Sequence, residues 1–396
     1  MRGWRDAVLS MIPDSEYLER VRRVQEEMIL RDIDLLVGYG SESEPHHVRY
    51  LSDFIPNFDF AGFIVPREGE ASLITGGPES IVYAQATSRL KKIFIHPFFL
   101  ETSAPPYHET EHIRFKDIIP EAADELSRIR RVGIVGSNIF PYAIYQDLKR
   151  AVGDAEIVEA DSILFKVRMI KSPNELNVMR KAYKITEQCH REALEYAEPG
   201  RMEWEIEAKA KSAMAMLGAE GPAYPIWVCS GPRTNQGLSR STDRRIGRGE
   251  LVQLSIGVKY QGYCGNMCRP FVIGDIPGKA RRLMEAGLEA ENAVIDAMEP
   301  GVESIHVHKV YEEILRKHGF GREFTLYGPA HGTGLQECEG PWINEENLFK
   351  LQPGMVFNVD IWLSNGELGL RWEDGVAVTE TGIEQLSTYR REIISK

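Results

Sequence analysis

The chain has 396 residues, 43% of them hydrophobic and 27% charged, with a net charge of −12 and a pI near 5.5. That length is too great for one core and points to two domains. The acidic balance excludes a general affinity for nucleic acid or anionic membrane surfaces, and no apolar run approaches the ~20 residues of a membrane span.

The opening stretch MRGWRDAVLSMIPDSE is basic at its start, but Pro13 and Asp14 interrupt it before an apolar core can form, so no signal peptide is expected. In YLERVRRVQEEMILRD, Leu18, Val21, Val24 and Met28 share one helical face. IDLLVGYG follows as a short apolar strand, AGFIVP and ASLITG as a hairpin, and RRVGIVG as a buried strand. PYAIYQDLKRAV is a helix and AEIVEA a strand. Together these predict an α/β domain with a mixed sheet over residues 1–165.

The second domain is expected over residues 166–396. Ser172, Pro173 and Glu175 form a helix start: a cap, a proline at the first position and a glutamate three after the cap. The helix continues to Glu198-Pro199-Gly200, and a second runs from Trp204 to a C-cap at Gly218. Strand-like runs (AYPIWVCSG, ELVQLSIGVKYQGY, RPFVIG) precede two helices, KARRLMEAGLEAENAVIDAM and SIHVHKVYEEILRKH. Strands return in GMVFNVDIWL and LRWEDGVAVTE. That order predicts an α+β domain with an antiparallel sheet.

Candidate chemistry gathers in the last third. His331 sits between glycines in GPAHGTGL, Glu339 follows in QECEGPW, and Asp360, Glu373 and Asp374 lie on strands of one sheet. An imidazole and several carboxylates on one face suit acid–base catalysis or a hard metal. The five cysteines, Cys189, Cys229, Cys264, Cys268 and Cys338, are odd in number and scattered, which fits a reducing cytoplasm better than a disulfide framework.

LQPGMVFNVDIWL with GLRWEDGVAVTETGIEQL resembles the carboxyl-terminal signature of the pita-bread hydrolases: the aminopeptidase P, prolidase, methionine aminopeptidase and creatinase superfamily. AHGTGL resembles its metal-ligand histidine loop, and IKSPNELNVMRKAYKI the first helix of its catalytic domain. The first part resembles the smaller amino-terminal domain of the creatinase and aminopeptidase P branch. The resemblance implies five metal ligands for two ions, and here they depart from the pattern. The two aspartates fall on Ser255 and Asn266, the first glutamate on Asp360, and only His331 and Glu373 are kept. A histidine after the loop falls on Cys338, and a mobile one before the hairpin near Leu238.

Two neighbouring divalent ions repel unless carboxylates bridge them, so the loss of two carboxylates argues against a two-metal site. The expectation is a metal-independent, cofactor-free hydrolase, similar to creatinase, acting on a C–N bond of a small, cationic metabolite. Its catalytic residues would be His331, Glu339, Asp360 and Glu373; Ser255, Asn266, Cys268, Cys338 and Arg371 would line the substrate pocket. Arg371 would bind a substrate carboxylate or support Glu373. A thiolate at Cys338 beside His331 is one possible nucleophile. The alternatives are a metal-dependent Xaa-Pro peptidase with a single ion on His331, Asp360 and Glu373, a non-catalytic binding relative, and a lyase. The expected state is a cytoplasmic homodimer with a small-molecule substrate and neither nucleic-acid nor membrane partners. His46 and His47 look like a surface loop pair, His306 and His308 face different sides of one helix, and Trp227, Trp342, Trp362 and Trp372 suit either pocket walls or core packing.

Overall fold

The computed structural model describes residues 10–105, 107–123 and 129–396, so residues 1–9 of the opening stretch lie outside the described residues. Two compact units divide between Arg168 and Met169.

The first unit alternates helices α1 (Asp14–Leu30), α2 (His46–Ser52), α3 (Pro78–Thr87), α4 (Phe115–Ala122), α5 (Tyr142–Val152) and α6 (Asp161–Met169) with strands β1 (Leu35–Gly40), β2 (Ala61–Pro66), β3 (Ser72–Thr75), β4 (Lys92–Ile95), β5 (Arg131–Val135) and β6 (Glu156–Glu159). The strands form one mixed sheet in the order β4-β3-β2-β1-β5-β6, with β2 and β3 as the antiparallel hairpin. The helical face of α1 differs from the predicted one: Tyr17 and Arg20 are buried with Val21, Val24 and Met28, while Leu18 is 69% exposed. Arg20 is buried because its guanidinium donates to the Tyr50 carbonyl and to Glu16 and stacks on Tyr17 and Tyr50. His46 and His47 are not a surface pair: both are buried at the start of α2, and His47 faces Arg168 and Asp161.

The second unit begins with α7 (Pro173–Tyr196), whose Ser172 hydroxyl accepts from the Glu175 N–H while Glu175 returns a bond to the Ser172 N–H. Helix α8 (Glu203–Met216) follows, then β7 (Gly221–Pro222), β8 (Trp227–Ser230), β9 (Leu251–Tyr260) and β10 (Tyr263–Val272). Helices α9 (Gly278–Asp296) and α10 (Ser304–Lys317) precede β11 (Ala330–Gly332), β12 (Glu339–Ile343), β13 (Val356–Ser364), β14 (Gly369–Val378), β15 (Ile383–Gln385) and β16 (Ile394–Ser395). The main path of the sheet runs β12-β11-β13-β14-β10-β9-β7, antiparallel at each of these pairings. Gln261 and Gly262 join β9 to β10 with positive φ at both positions, the turn whose twist suits a tight hairpin. Of the two places open to Trp372, pocket wall or core, the structure puts it in the core, against Gly287 of α9, where even a methyl group would collide with the indole.

Candidate functional site

Strand register builds the site. Ser255 of β9 lies opposite Cys268 of β10, Cys268 opposite Glu373 of β14, and Glu373 opposite Asp360 of β13. Directly opposed residues point to the same face, so these four side chains form one row. Two residues along each strand, Asn266, Arg371 and Asn358 join that face, and His331 of β11 lies opposite Asn358. Glu373 and Asp374 are neighbours on one strand and so face opposite ways; Asp374 is held behind the sheet by Arg269 at 2.7 Å and Arg391 at 3.3 Å, and does not join the cluster.

His331, Asp360 and Glu373, all buried, each offer a donor atom, and the three atoms lie within 4.8 Å of one another. The Nδ1 of His331 is 2.9 Å from the Gly332 carbonyl, which assigns the N–H there and leaves Nε2 as the acceptor. That Nε2 lies 3.7 Å from Glu337 and 4.0 Å from Asp360. Glu373 accepts from the Asn358 amide at 3.0 Å, and the Tyr183 hydroxyl fixes Asn358 in turn. Burial, then Asp360 and Glu337, push the Glu373 carboxyl well above the usual carboxylate range.

Arg371 supports Asp360 rather than Glu373: its Nε is 2.9 Å from Asp360 Oδ1, and the Tyr327 hydroxyl donates to Asp360 Oδ2 at 2.8 Å. The guanidinium also donates to Tyr327 at 2.6 Å and lies over the Trp227 ring at 5.5 Å. Register explains the pairing, because Arg371 lies opposite Trp362, two residues from Asp360 on the same face.

Glu339 is not a free substrate-binding carboxylate. Its Oε1 accepts from Lys171 Nζ at 2.9 Å, both side chains being buried. Gly334 serves this pair, since a side chain there would meet Glu339 Oε1 at 2.6 Å. One of the glycines beside His331 thus makes room for an internal ion pair.

The thiols are poorly placed as nucleophiles. Burial, then Glu337, Asp360 and Glu373, push the Cys338 thiol far up, and burial does the same to Cys268, which lies 3.1 Å from the Ser255 hydroxyl. Asn266 keeps its Oδ1 buried without a hydrogen-bond partner, while its amide reaches the Glu337 carbonyl at 3.5 Å. Leu238 is 81% exposed.

Sequence reasoning missed Glu337, Tyr327, Asn358 and Tyr224. Glu337 is one residue from Cys338, and Tyr327 is four before His331, but nothing in their spacing marks which faces inward. Tyr224 has a buried, unpartnered hydroxyl and a ring 5.1 Å from that of Trp227.

Residues 177–380 match the model for metallopeptidase family M24, and residues 20–170 the model for the creatinase/prolidase N-terminal domain. The chain is 28% identical over 340 residues to the Xaa-Pro dipeptidase of Pyrococcus horikoshii, covering 86% of this chain and 92% of that one. It is 30% identical over 283 residues to the Xaa-Pro dipeptidase of Pyrococcus furiosus, covering 71% and 80%. The solved prolidase of Pyrococcus horikoshii superimposes with a TM-score of 0.81 at 26% identity, over 95% of this chain and 100% of that one. An X-Pro aminopeptidase from Thermotoga maritima gives 0.80 at 25%, over 95% and 99%. Among the described residues no helix is long and apolar enough to cross a membrane.

Proposed function

We propose a reading that starts from a plain premise: the chain belongs to metallopeptidase family M24 and is a hydrolase of the creatinase and prolidase type. On this reading it hydrolyses the peptide C–N bond of a dipeptide-sized, Xaa-Pro-like substrate with one divalent ion per chain. The Xaa-Pro dipeptidases among its relatives favour this over the metal-free reaction expected from the lost carboxylates. The observation that carries it is the convergence of His331, Asp360 and Glu373 within 4.8 Å.

One ion fits these residues and two do not. One imidazole and two carboxylates are a known donor set for a single ion, whereas Ser255 and Asn266 supply no charge to hold a second. An ion on His331 Nε2, Asp360 and Glu373 would polarise the scissile carbonyl and acidify water. Arg371 and Tyr327 hold the Asp360 carboxylate in place. Burial raises the Glu337 carboxyl above its usual range, which suits it to take a proton from the attacking water and return it to the leaving amine.

A second reading, metal-free hydrolysis, rests on the same Arg371, a fixed cation 2.9 Å from Asp360 where an ion would otherwise balance the carboxylates. Metal analysis and assays on proline dipeptides separate the two. About one bound ion per chain, with activity lost to a chelator and restored by metal, supports the first reading. Metal-free protein with chelator-insensitive activity supports the second. We propose further that the chain is a homodimer in the cytoplasm, with its free cysteines in support of a reducing compartment; light scattering tests the dimer.

A further inference from the structure

The two carboxylates of the candidate ligand set are held by different means. Asp360 is braced by Arg371 and Tyr327. The Glu373 carboxylate accepts one hydrogen bond among the described residues, from the Asn358 amide at 3.0 Å. Asn358 is fully buried on β13, and its amide oxygen accepts in turn from the Tyr183 hydroxyl.

Tyr183 reaches this pair from α7, 175 positions earlier in the chain. Among the described residues β10 and β14 are paired at one position, Cys268 with Glu373. Continued pairing would set Asn266 opposite Gly375; instead the Tyr183 ring covers Gly375. A side-chain carbon at Gly375 would collide with the ring and hydroxyl of Tyr183, and one at Gly265 of β10 would run into the Tyr183 backbone. Two glycines, one on each strand, thus open a slot that the phenol fills, and Tyr183 is fully buried there. Gly375 also lies opposite Asn358, which puts the hydroxyl beside the amide.

Donors and acceptors give this chain of bonds a direction. A hydroxyl donating to the amide oxygen turns the NH2 group of Asn358 toward Glu373. The reversed amide would set one acceptor against another. Three buried polar groups are costly unless each meets a partner, and this arrangement matches all three.

We infer that Tyr183 is a positioning residue for the hydrolytic site: acting through Asn358, it fixes the Glu373 carboxylate where it can share one ion with His331 and Asp360. The inference rests on the one-ion reading above. Groups that hold a ligand from outside orient it, and their loss weakens metal binding or activity about 10- to 100-fold.

Tyr183→Phe keeps the ring in its slot and removes only the hydroxyl. Isothermal titration of chelator-stripped protein with manganese is expected to give a Kd about tenfold or more weaker than that of wild type. On Leu-Pro at saturating manganese, kcat should fall about tenfold while KM stays within about twofold. Asn358→Leu should weaken manganese binding at least as much, and adding Tyr183→Phe to it should change nothing further, because the hydroxyl acts through the amide. A purely structural bond would lower the melting temperature in chelator and leave Kd and kcat in place. A Kd for Tyr183→Phe within about twofold of wild type, or losses that add in the double variant, overturns the inference. If the wild type binds no manganese yet cleaves Leu-Pro in chelator, the one-ion reading fails and the same variants are compared by kcat in chelator. Equal losses in Asn358→Leu and the double variant then retain the positioning role, and an unchanged kcat in Tyr183→Phe overturns it. A wild type that neither binds manganese nor cleaves Leu-Pro overturns both.

Discussion

Replacing Arg371 by methionine removes the cation that holds Asp360 while keeping much of the buried side-chain volume. The pair is buried on both sides, with side-chain exposures of 8% and 7%. Removing one partner of a buried pair costs about 3–5 kcal/mol, because the other charge is left in a poorly solvated place. Loss of the Trp227 stacking adds about 1 kcal/mol. For a domain of this size, that total lowers the melting temperature of the catalytic unit by about 8–24 °C in chelator. A divalent ion bound to His331, Asp360 and Glu373 would supply the missing positive charge and return about 2.7 kcal/mol at a hundredfold excess over its Kd. Thermal unfolding of wild type and Arg371→Met, each with chelator and with excess manganese, measures both effects. The rise caused by manganese is expected to be larger in the variant, where no guanidinium competes for Asp360. Equal rises, or a variant as stable as wild type in chelator, refute the reasoning.

Three other outcomes are expected. Adding Ser255→Asp and Asn266→Asp together restores the two carboxylates to the row and should raise bound metal from one ion per chain to two, read by elemental analysis. Lys171→Met should destabilise the catalytic unit by about 3–5 kcal/mol in denaturant unfolding by stranding Glu339, and adding Glu339→Leu should recover most of it. Burial holds the His190 imidazole down to about 3, its ring bonded to the Met267 carbonyl. Between that value and about 6.5 the unfolded chain binds the extra proton, so stability falls as pH falls. At pH 4.5 wild type should have lost about 2.5 kcal/mol more than His190→Gln, measured as the difference between their unfolding midpoints at pH 7.5 and 4.5.

Much of the site was legible in the residues. LSIGVKYQGYCGNMCRPF already carried the neutral Ser255 and Asn266, and GPAHGTGL, PGMVFNVD and RWEDGVAV placed His331, Asp360 and Glu373 on strands. The alternation of strands fixes which neighbours face together, so Glu373 and Asp374 had to part. Sequence could not say that Glu339 would be taken by Lys171, which is 168 positions away. Nor could it say that Arg371 would reach Asp360 rather than Glu373, because that depends on the register of β13 against β14. Tyr327 and Glu337 lie beside known motifs, but only the folded loop turns them inward.

The family, much of the order of helices and strands, and the uncharged Ser255 and Asn266 follow from residue type and local spacing alone. Tertiary structure decided which of the remaining charges are spent on one another. Lys171 neutralises Glu339, Arg371 neutralises Asp360, and Arg269 and Arg391 hold Asp374. Only strand register and burial bring such distant groups within Coulomb reach, and the balance they leave around Glu373 and the Nε2 of His331 sets what the site can bind.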